Sequence, residues 1–146
     1  MSACSFEVTA QSAAPPERLF ALLADATSWP RWAGLLVAHG WWDREGSPPP
    51  GGVGAIRKLG RWPLYGREEI IVYEPPTNLA YTIVKGQPVR NYRAAVTLTR
   101  VDDGTLITWT AAFDPLIPGT GAIVTAFLRR IVATFANGLA DYAAKQ

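Results

Sequence analysis

The sequence is poor in the residues on which disulfide frameworks and metal sites depend. Its 146 residues include one cysteine, Cys4, and one histidine, His39. A single cysteine excludes an internal disulfide and is typical of a reducing compartment. His39 has no cysteine or acidic neighbour at ligand spacing, and we expect it to face solvent. The sequence therefore predicts neither a metal site nor a catalytic triad.

Charge of one sign and long apolar runs are also scarce. The chain has 14 Lys and Arg against 12 Asp and Glu, and the densest basic group is the pair Arg129-Arg130. Without a basic run we expect no nucleic-acid partner. The longest strongly apolar run, 122–128, is much shorter than the roughly 20 residues that span a bilayer, so we expect no membrane insertion. The first residues lack the basic and apolar parts of a signal peptide, which predicts a cytoplasmic protein.

Phosphate-binding glycine motifs are missing as well. The run Gly51-Gly52-Val53-Gly54 leads into a predicted strand, whereas a phosphate cradle needs a helix N-terminus. We therefore expect no cofactor.

Apolar and aromatic residues are abundant. They make up 49% and 11% of the chain, with six Trp, five Tyr and five Phe, while 18% of the residues are charged. This composition predicts a packed core, and the length fits a single domain, 1–146. Each buried aromatic side chain removes roughly 150–250 Å² from water. So many rings either fill a core alone or fill part of it and line a cavity.

The hydrophobic pattern predicts a strand, two short helices, six more strands and a long C-terminal helix at about 120–144. The predicted strands are 6–11, 36–43, 53–59, 67–74, 79–85, 91–101 and 105–113. Strands joined by short hairpins pair antiparallel, and only the last helix is long enough to cover their apolar face, which gives an α+β fold. We expect some of the loops 46–52, 60–66 and 115–119, which are rich in glycine and proline, to border the mouth of any cavity.

Several fragments, in this order and spacing, resemble the START-like superfamily, also called SRPBCC, and within it the bacterial polyketide cyclase/dehydrase-like branch. They are Pro15-Pro16-Glu17-Arg18-Leu19-Phe20, Asp25, Trp29-Pro30-Arg31-Trp32, Gly52-Val53-Gly54-Ala55-Ile56-Arg57, Glu74-Pro75-Pro76 with Leu79-Ala80-Tyr81, and Gly104-Thr105 with Thr108-Trp109. The resemblance implies the helix-grip fold, a curved antiparallel sheet of six or seven strands around the long helix. It also implies a cavity for a small hydrophobic molecule. It implies no particular activity, because this superfamily shares no catalytic set.

The alternation of each strand predicts which side chains face the helix. On strand 36–43 we assign Leu36, Ala38, Gly40 and Trp42 to the inner face, because the other set carries His39 and Asp43. Together with the helix, the inner face gives ten candidate ligand-binding residues: Trp42, Arg57, Glu69, Tyr81, Tyr92, Val96, Trp109, Phe113, Phe127 and Ile131. The alternative is that these residues are simply core.

The polar part of this set depends on strand register. Folding 53–59 onto 67–74 about the segment 60–66 places Arg57 opposite Glu69 and Lys58 opposite Glu68. We assign Arg57 and Glu69 to the inner face, although a shift of one residue would reverse the assignment. The alternative is that both pairs are ordinary surface ion pairs.

Three functional hypotheses follow. The first is a carrier that binds a small hydrophobic or aromatic, lipid- or polyketide-like molecule, with Arg57 bonding a ligand carbonyl or carboxylate. The second is a cyclase-, aromatase- or dehydratase-like enzyme in which a cavity Arg, Glu or Tyr moves a proton. The third is a protein-interaction module. The sequence favours the carrier, as a monomer or homodimer, because no acid–base pair stands out.

Overall fold

The computed structural model describes residues 3–85 and 88–145. Within them, seven strands form one antiparallel sheet in the order β1-β7-β6-β5-β4-β3-β2, as expected for the helix-grip fold. The strands are β1 Cys4–Ser12, β2 His39–Arg44, β3 Ile56–Arg61, β4 Leu64–Glu74, β5 Asn78–Lys85, β6 Val89–Val101 and β7 Gly104–Pro115. Helix α1 is Pro16–Ala24, a 3₁₀ helix follows at Ala26–Arg31, and α2 is Gly121–Ala144.

Two short helical segments connect β1 to β2 and close one end of the sheet. Proline at the start of α1 is tolerated because its missing N–H would have no intrahelical partner there. Leu19 and Leu23 of α1 are fully buried, and so is Trp29 in the 3₁₀ helix. The indole Nε1 of Trp29 donates to the Leu23 carbonyl at 3.0 Å, which satisfies a carbonyl at the end of α1. This bond fixes the two segments to each other.

The inner face of the sheet follows the predicted alternation most clearly in β6 and β7. In β7, Ile107, Trp109, Ala111 and Phe113 are buried, while the residues that alternate with them are half-buried. Trp109 lies against α2 through Phe135, with ring centroids 6.2 Å apart, as expected. Strand β7, together with β1, therefore supplies the part of the core that α2 covers.

Helix α2 has the length predicted for the C-terminal helix, with 24 residues. Its most apolar window has a mean hydropathy of 1.3, which is enough by length and composition to cross a bilayer. Leu128, Val132, Ala136 and Leu139 are buried, so this helix is the core helix of the fold.

Three predicted boundaries are wrong. Strand β3 begins at Ile56 rather than at position 53. Strand β2 begins at His39 rather than at position 36, because the chain is still in a turn at Leu35 and Leu36, and Leu36 is 52% exposed. The segment 60–66 is not an open loop but a tight hairpin in which β3 and β4 are separated only by Trp62-Pro63. Gly60 makes this geometry possible, since it has a φ of +155° and a Cβ there would lie 2.2 Å from the Leu64 carbonyl oxygen.

Candidate functional site

A cavity of about 270 Å³ lies between α2 and the β3–β4 hairpin. Most of its lining is apolar, and Glu68 is the one charged side chain among the residues the structure describes there. The lining residues are Leu36, Val37, Leu59, Gly60, Leu64, Tyr65, Gly66, Glu68, Pro88, Phe127, Ile131 and Phe135. Its volume is just below the range of about 300–1,000 Å³ that is usual for small-molecule pockets. We therefore expect any ligand to be small.

The cavity exists because α2 covers the sheet unevenly. The helix packs mainly on β1 and β7, and it leaves the β3–β4 side of the inner face uncovered. Phe127 is 56% exposed, and Leu64, on the opposite side of the cavity, is 78% exposed. A second apolar depression of about 490 Å³ adjoins the cavity and shares Leu36, Phe127 and Ile131 with it. The two depressions therefore meet at these shared residues.

The carboxylate on the cavity wall is positioned by the register of β3 and β4. Arg57 lies opposite Glu68, and Ile56 lies opposite Glu69. Arg57 Nε donates to Glu68 Oε1 at 2.9 Å. The prediction that Glu69 faces Arg57 on the inner face is therefore wrong. Relative to the predicted pairing, the two-residue turn at Trp62-Pro63 shifts β4 by one residue. Glu68 therefore lies on the inner face of the sheet and Glu69 on the outer face.

Glu69 lies on the outer face of the sheet. Its side chain is 37% exposed and is 3.6 Å from Arg44, in the kind of surface ion pair that contributes little to stability. Lys58 also points outward, where its Nζ lies between the rings of Trp41 and Tyr65 at 4.9 and 4.8 Å.

Arg57 is completely buried, and its contacts are mainly structural. Its Nη1 donates to the Leu23 carbonyl at 2.8 Å, so the same carbonyl that accepts from Trp29 also ties α1 to the sheet. Nη2 is a buried atom without a hydrogen-bond partner among the described residues. The guanidinium carbon lies 4.6 Å from the ring centroid of Trp29 and 5.1 Å from that of Tyr81. These ring faces compensate part of the desolvated charge.

Glu68 is the polar group that reaches the cavity. Only 13% of its side chain is exposed, and among the described residues its sole side-chain hydrogen bond is the one from Arg57 to Oε1. Burial raises the pKa of Glu68 above its ordinary value, and Arg57 opposes part of that shift. The second oxygen, Oε2, is left as a hydrogen-bond acceptor on an apolar wall.

Two buried tyrosines extend the polar region behind the cavity. Trp109 Nε1 donates to the Tyr81 hydroxyl at 3.2 Å. Burial and the nearby Glu68 charge raise the pKa of Tyr81 well above its ordinary value, and the same two causes raise the pKa of Tyr92. Both hydroxyls therefore stay protonated at neutral pH and can act as hydrogen-bond donors.

The sequence matches a known protein family over nearly its whole length. Residues 3–144 match the model of the family described as polyketide cyclase / dehydrase and lipid transport. The chain belongs to this family. Uncharacterized proteins of Mycobacterium tuberculosis and Mycobacterium bovis are 35% identical over 114 residues, which are 73% of this chain and 64% of theirs. The chain thus spans less than two thirds of the length of these relatives.

Solved structures share the fold of this polyketide cyclase / dehydrase family member. A protein from Thermobifida fusca is similar with a TM-score of 0.79 and 24% identity, covering 97% of this chain and 93% of that one. Ara h 8.0201 is similar with a TM-score of 0.76 and 18% identity, covering 97% and 98%. At these identities the likeness shows the fold alone. Family and fold together support a hydrophobic ligand-binding fold.

The predicted ligand-binding residues of this family member fall into three groups. Phe127 and Ile131 line the cavity. Seven others face inward but lie in the wall or core behind it: Trp42, Arg57, Tyr81, Tyr92, Val96, Trp109 and Phe113. Glu69 lies on the opposite face of the sheet. A role of the inward-facing residues in ligand binding stays a prediction.

Glu68 and the hairpin residues around it were missed as site residues. The signal was present, since a proline next to Trp62 favours a tight turn, and a two-residue turn sets the pairing of Arg57 with Glu68. The other two predicted rim loops, 46–52 and 115–119, contribute no residue to the cavity lining.

Other surfaces of the described residues are weaker candidates. A groove of about 880 Å³ between the start of β1 and α2 is open to solvent and is lined mainly by small residues with Arg129 and Arg130. Within 3–85 and 88–145, no cluster of three or more His, Cys, Asp or Glu side chains has the geometry of a metal site. His39 is exposed beside Trp41, with ring centroids 6.1 Å apart.

Proposed function

We propose that the protein is a carrier that holds a small apolar or aromatic, lipid- or polyketide-like molecule in the cavity between α2 and the β3–β4 hairpin. The observation that carries the proposal is the cavity itself, about 270 Å³ of largely apolar space bordered by the exposed side chains of Leu36 and Phe127. Largely apolar cavities bind apolar molecules because water gains few hydrogen bonds in them. The family description, which includes lipid transport, supports the same function.

A pair of substitutions on one helix tests this proposal. Ile131→Trp adds a large ring inside the cavity, whereas Ile123→Trp adds the same ring on the outside of α2, where Ile123 is 75% exposed. Calorimetric titration with naphthalene should show binding to the parent protein. We expect Ile131→Trp to weaken it at least about tenfold and Ile123→Trp to leave it unchanged. Equal affinities in all three proteins would contradict binding in this cavity.

A ligand that the protein has bound in cells can be detected by its mass. Native mass spectrometry of the purified protein should show an added mass that disappears in Ile131→Trp and persists in Ile123→Trp. Organic extraction followed by fragmentation would then identify its chemical class. An added mass that is equally abundant in both variants would place the ligand outside the cavity.

One observation favours an enzyme as the second candidate. Glu68 offers a carboxylate with a raised pKa on the wall of the cavity, which is the environment of many general acids and bases. In a ring closure with loss of water, such a group takes a proton from the carbon beside one carbonyl, that carbon forms a C–C bond to a second carbonyl, and the proton returns to the resulting alkoxide. Transfer of a second proton from the same carbon to the new hydroxyl then breaks the C–O bond and releases water. Glu68→Gln should then stop conversion of a linear poly-β-keto thioester, and Glu69→Gln should not. A parent protein that returns such substrates unchanged would contradict this candidate.

A further inference from the structure

The two charged side chains beside the cavity, Arg57 and Glu68, lie at different distances from it. Arg57 is fully buried and does not border the cavity, while Glu68 stands between its guanidinium group and the cavity space. The bond from Arg57 Nε occupies Oε1 of Glu68. A molecule in the cavity therefore meets the carboxylate oxygen Oε2 before it meets the positive charge.

The ion pair with Arg57 favours the ionised form of Glu68, and an ionised carboxylate accepts hydrogen bonds and donates none. A ligand hydroxyl placed against Oε2 would form a charge-assisted hydrogen bond, which is roughly twice as strong as a neutral one. A ligand carboxylate at the same place would bring two like charges together in an apolar wall, where their repulsion is poorly screened. It would also lose its hydration without gaining a donor in exchange.

We propose that Glu68 makes the cavity selective for neutral ligands that carry a hydroxyl or phenol group, and that it excludes ligands bearing a carboxylate. This proposal rests on the proposed function, since it names the ligand class of the same cavity. It reverses the expectation drawn from the sequence, in which Arg57 would bind a ligand carbonyl or carboxylate. The reversal follows from the order of the two side chains along the path from the cavity.

Three probes of one shape test the selectivity in the parent protein without any substitution. Naphthalene, 2-naphthol and 2-naphthoate share the same ring system and differ only in a hydrogen, a hydroxyl or a carboxylate. Calorimetric titration at neutral pH should show that 2-naphthol binds about tenfold to a hundredfold more tightly than naphthalene. It should also show that 2-naphthoate binds more weakly than naphthalene.

A matched pair of variants then assigns the selectivity to one side chain. In Glu68→Gln the amide oxygen can still accept from Arg57, which leaves the amide N–H group to face the cavity. We therefore expect this variant to prefer 2-naphthoate to 2-naphthol. Glu69→Gln removes the neighbouring charge on the outer face, and it should keep the order of the parent protein.

The outcomes separate this proposal from the function on which it rests. If naphthalene binds and 2-naphthoate binds as tightly as 2-naphthol, the cavity is a binding site and the selectivity proposal is wrong. If none of the three probes binds, both proposals are wrong. Circular dichroism checks that Glu68→Gln folds, and if it does not, the order of the three probes in the parent protein decides the question.

Discussion

Each half of α2 has eight apolar residues among its twelve, but the two halves differ in their surroundings. In the C-terminal half, Leu139 is fully buried, the Ser12 hydroxyl donates to the Ala140 carbonyl at 2.7 Å, and Arg18 donates to the Ala143 carbonyl at 3.1 Å. In the N-terminal half, Ile123 and Phe127 are mostly exposed. The comparison indicates that the C-terminal half mainly holds the fold together, whereas the more exposed side of the N-terminal half, continued by Phe135, bounds the cavity.

The largest effect should come from the core that the C-terminal half covers. Trp109→Ala removes a fully buried indole that contacts Trp29, Phe135 and the Tyr81 hydroxyl. We expect the free energy of unfolding to fall by about 3–5 kcal/mol. Denaturant titration measures this, with Trp62→Ala as the control, because Trp62 is 78% exposed and its removal should cost no more than about 0.5 kcal/mol. Similar losses in both variants would contradict the assignment of Trp109 to the core.

A second pair of substitutions compares the two halves of the helix directly. Leu139→Ala should lower the free energy of unfolding by about 2–5 kcal/mol and leave naphthalene affinity unchanged. Phe127→Ala should cost less than about 1 kcal/mol, because the ring is 56% exposed, and should weaken naphthalene binding about tenfold. Denaturant titration and calorimetry on the same samples give both quantities. Variants that lose stability and affinity in parallel would mean that the halves do not have separate roles.

A smaller effect is expected at Gly138, where α2 crosses the backbone of Trp32. A Cβ at this position would lie 1.9 Å from the Trp32 carbonyl oxygen. Alanine in a helix is normally favoured over glycine by about 1 kcal/mol. We nevertheless expect Gly138→Ala to lower the free energy of unfolding by about 1–3 kcal/mol, because the helix must move away from Trp32.

The neighbouring residue provides the control for Gly138. Asn137 is exposed, so Asn137→Ala should stabilise the helix by a few tenths of a kcal/mol. Thermal or denaturant unfolding of the two variants should therefore give changes of opposite sign. A gain of stability in both would show that the close approach of the helix at Gly138 is not required.

The smallest effect is the pH dependence contributed by Glu68. Burial raises the pKa of Glu68 in the folded protein above its ordinary value of 4.5. The folded state therefore binds more protons than the unfolded state in the window above pH 4.5. The stability that this group contributes is therefore fully present below pH 4.5 and is lost as the pH rises through its folded-state pKa. The difference in free energy of unfolding between the parent and Glu68→Gln should fall as pH increases. Carboxylates with a lowered pKa, such as Glu17 and Asp114, are present in both proteins, so their contributions cancel in this difference.

Denaturant titrations at steps from pH 4.5 to about 8 measure this difference. A difference that stays constant across that window, or one that rises with pH, would contradict the burial of Glu68 on the cavity wall.

The sequence was sufficient for the fold because period-2 alternation decides which side chains are buried in long strands. In β6 and β7 the alternation correctly separated Tyr92, Trp109 and Phe113 from their outward neighbours. It did not decide the register of β3 and β4, since shifting the turn by one residue exchanges Glu68 and Glu69 without changing the hydrophobic pattern. The hydrophobic pattern of α2 also did not distinguish the residues that line the cavity from the residues of the core. Helical periodicity defines an apolar face but contains no information about how far the sheet extends beneath it.

The position of Phe135 has a spectroscopic consequence. This ring lines the cavity and also contacts two buried indoles, with centroid distances of 5.2 Å to Trp29 and 6.2 Å to Trp109. An occupant of the cavity that displaces Phe135 will alter the surroundings of both indoles, while the exposed indole of Trp62 keeps its aqueous environment. Emission on the blue side of the fluorescence spectrum should therefore respond to occupancy, and emission on the red side should serve as an internal reference. The protein thus contains its own optical reporter of whether the cavity is filled.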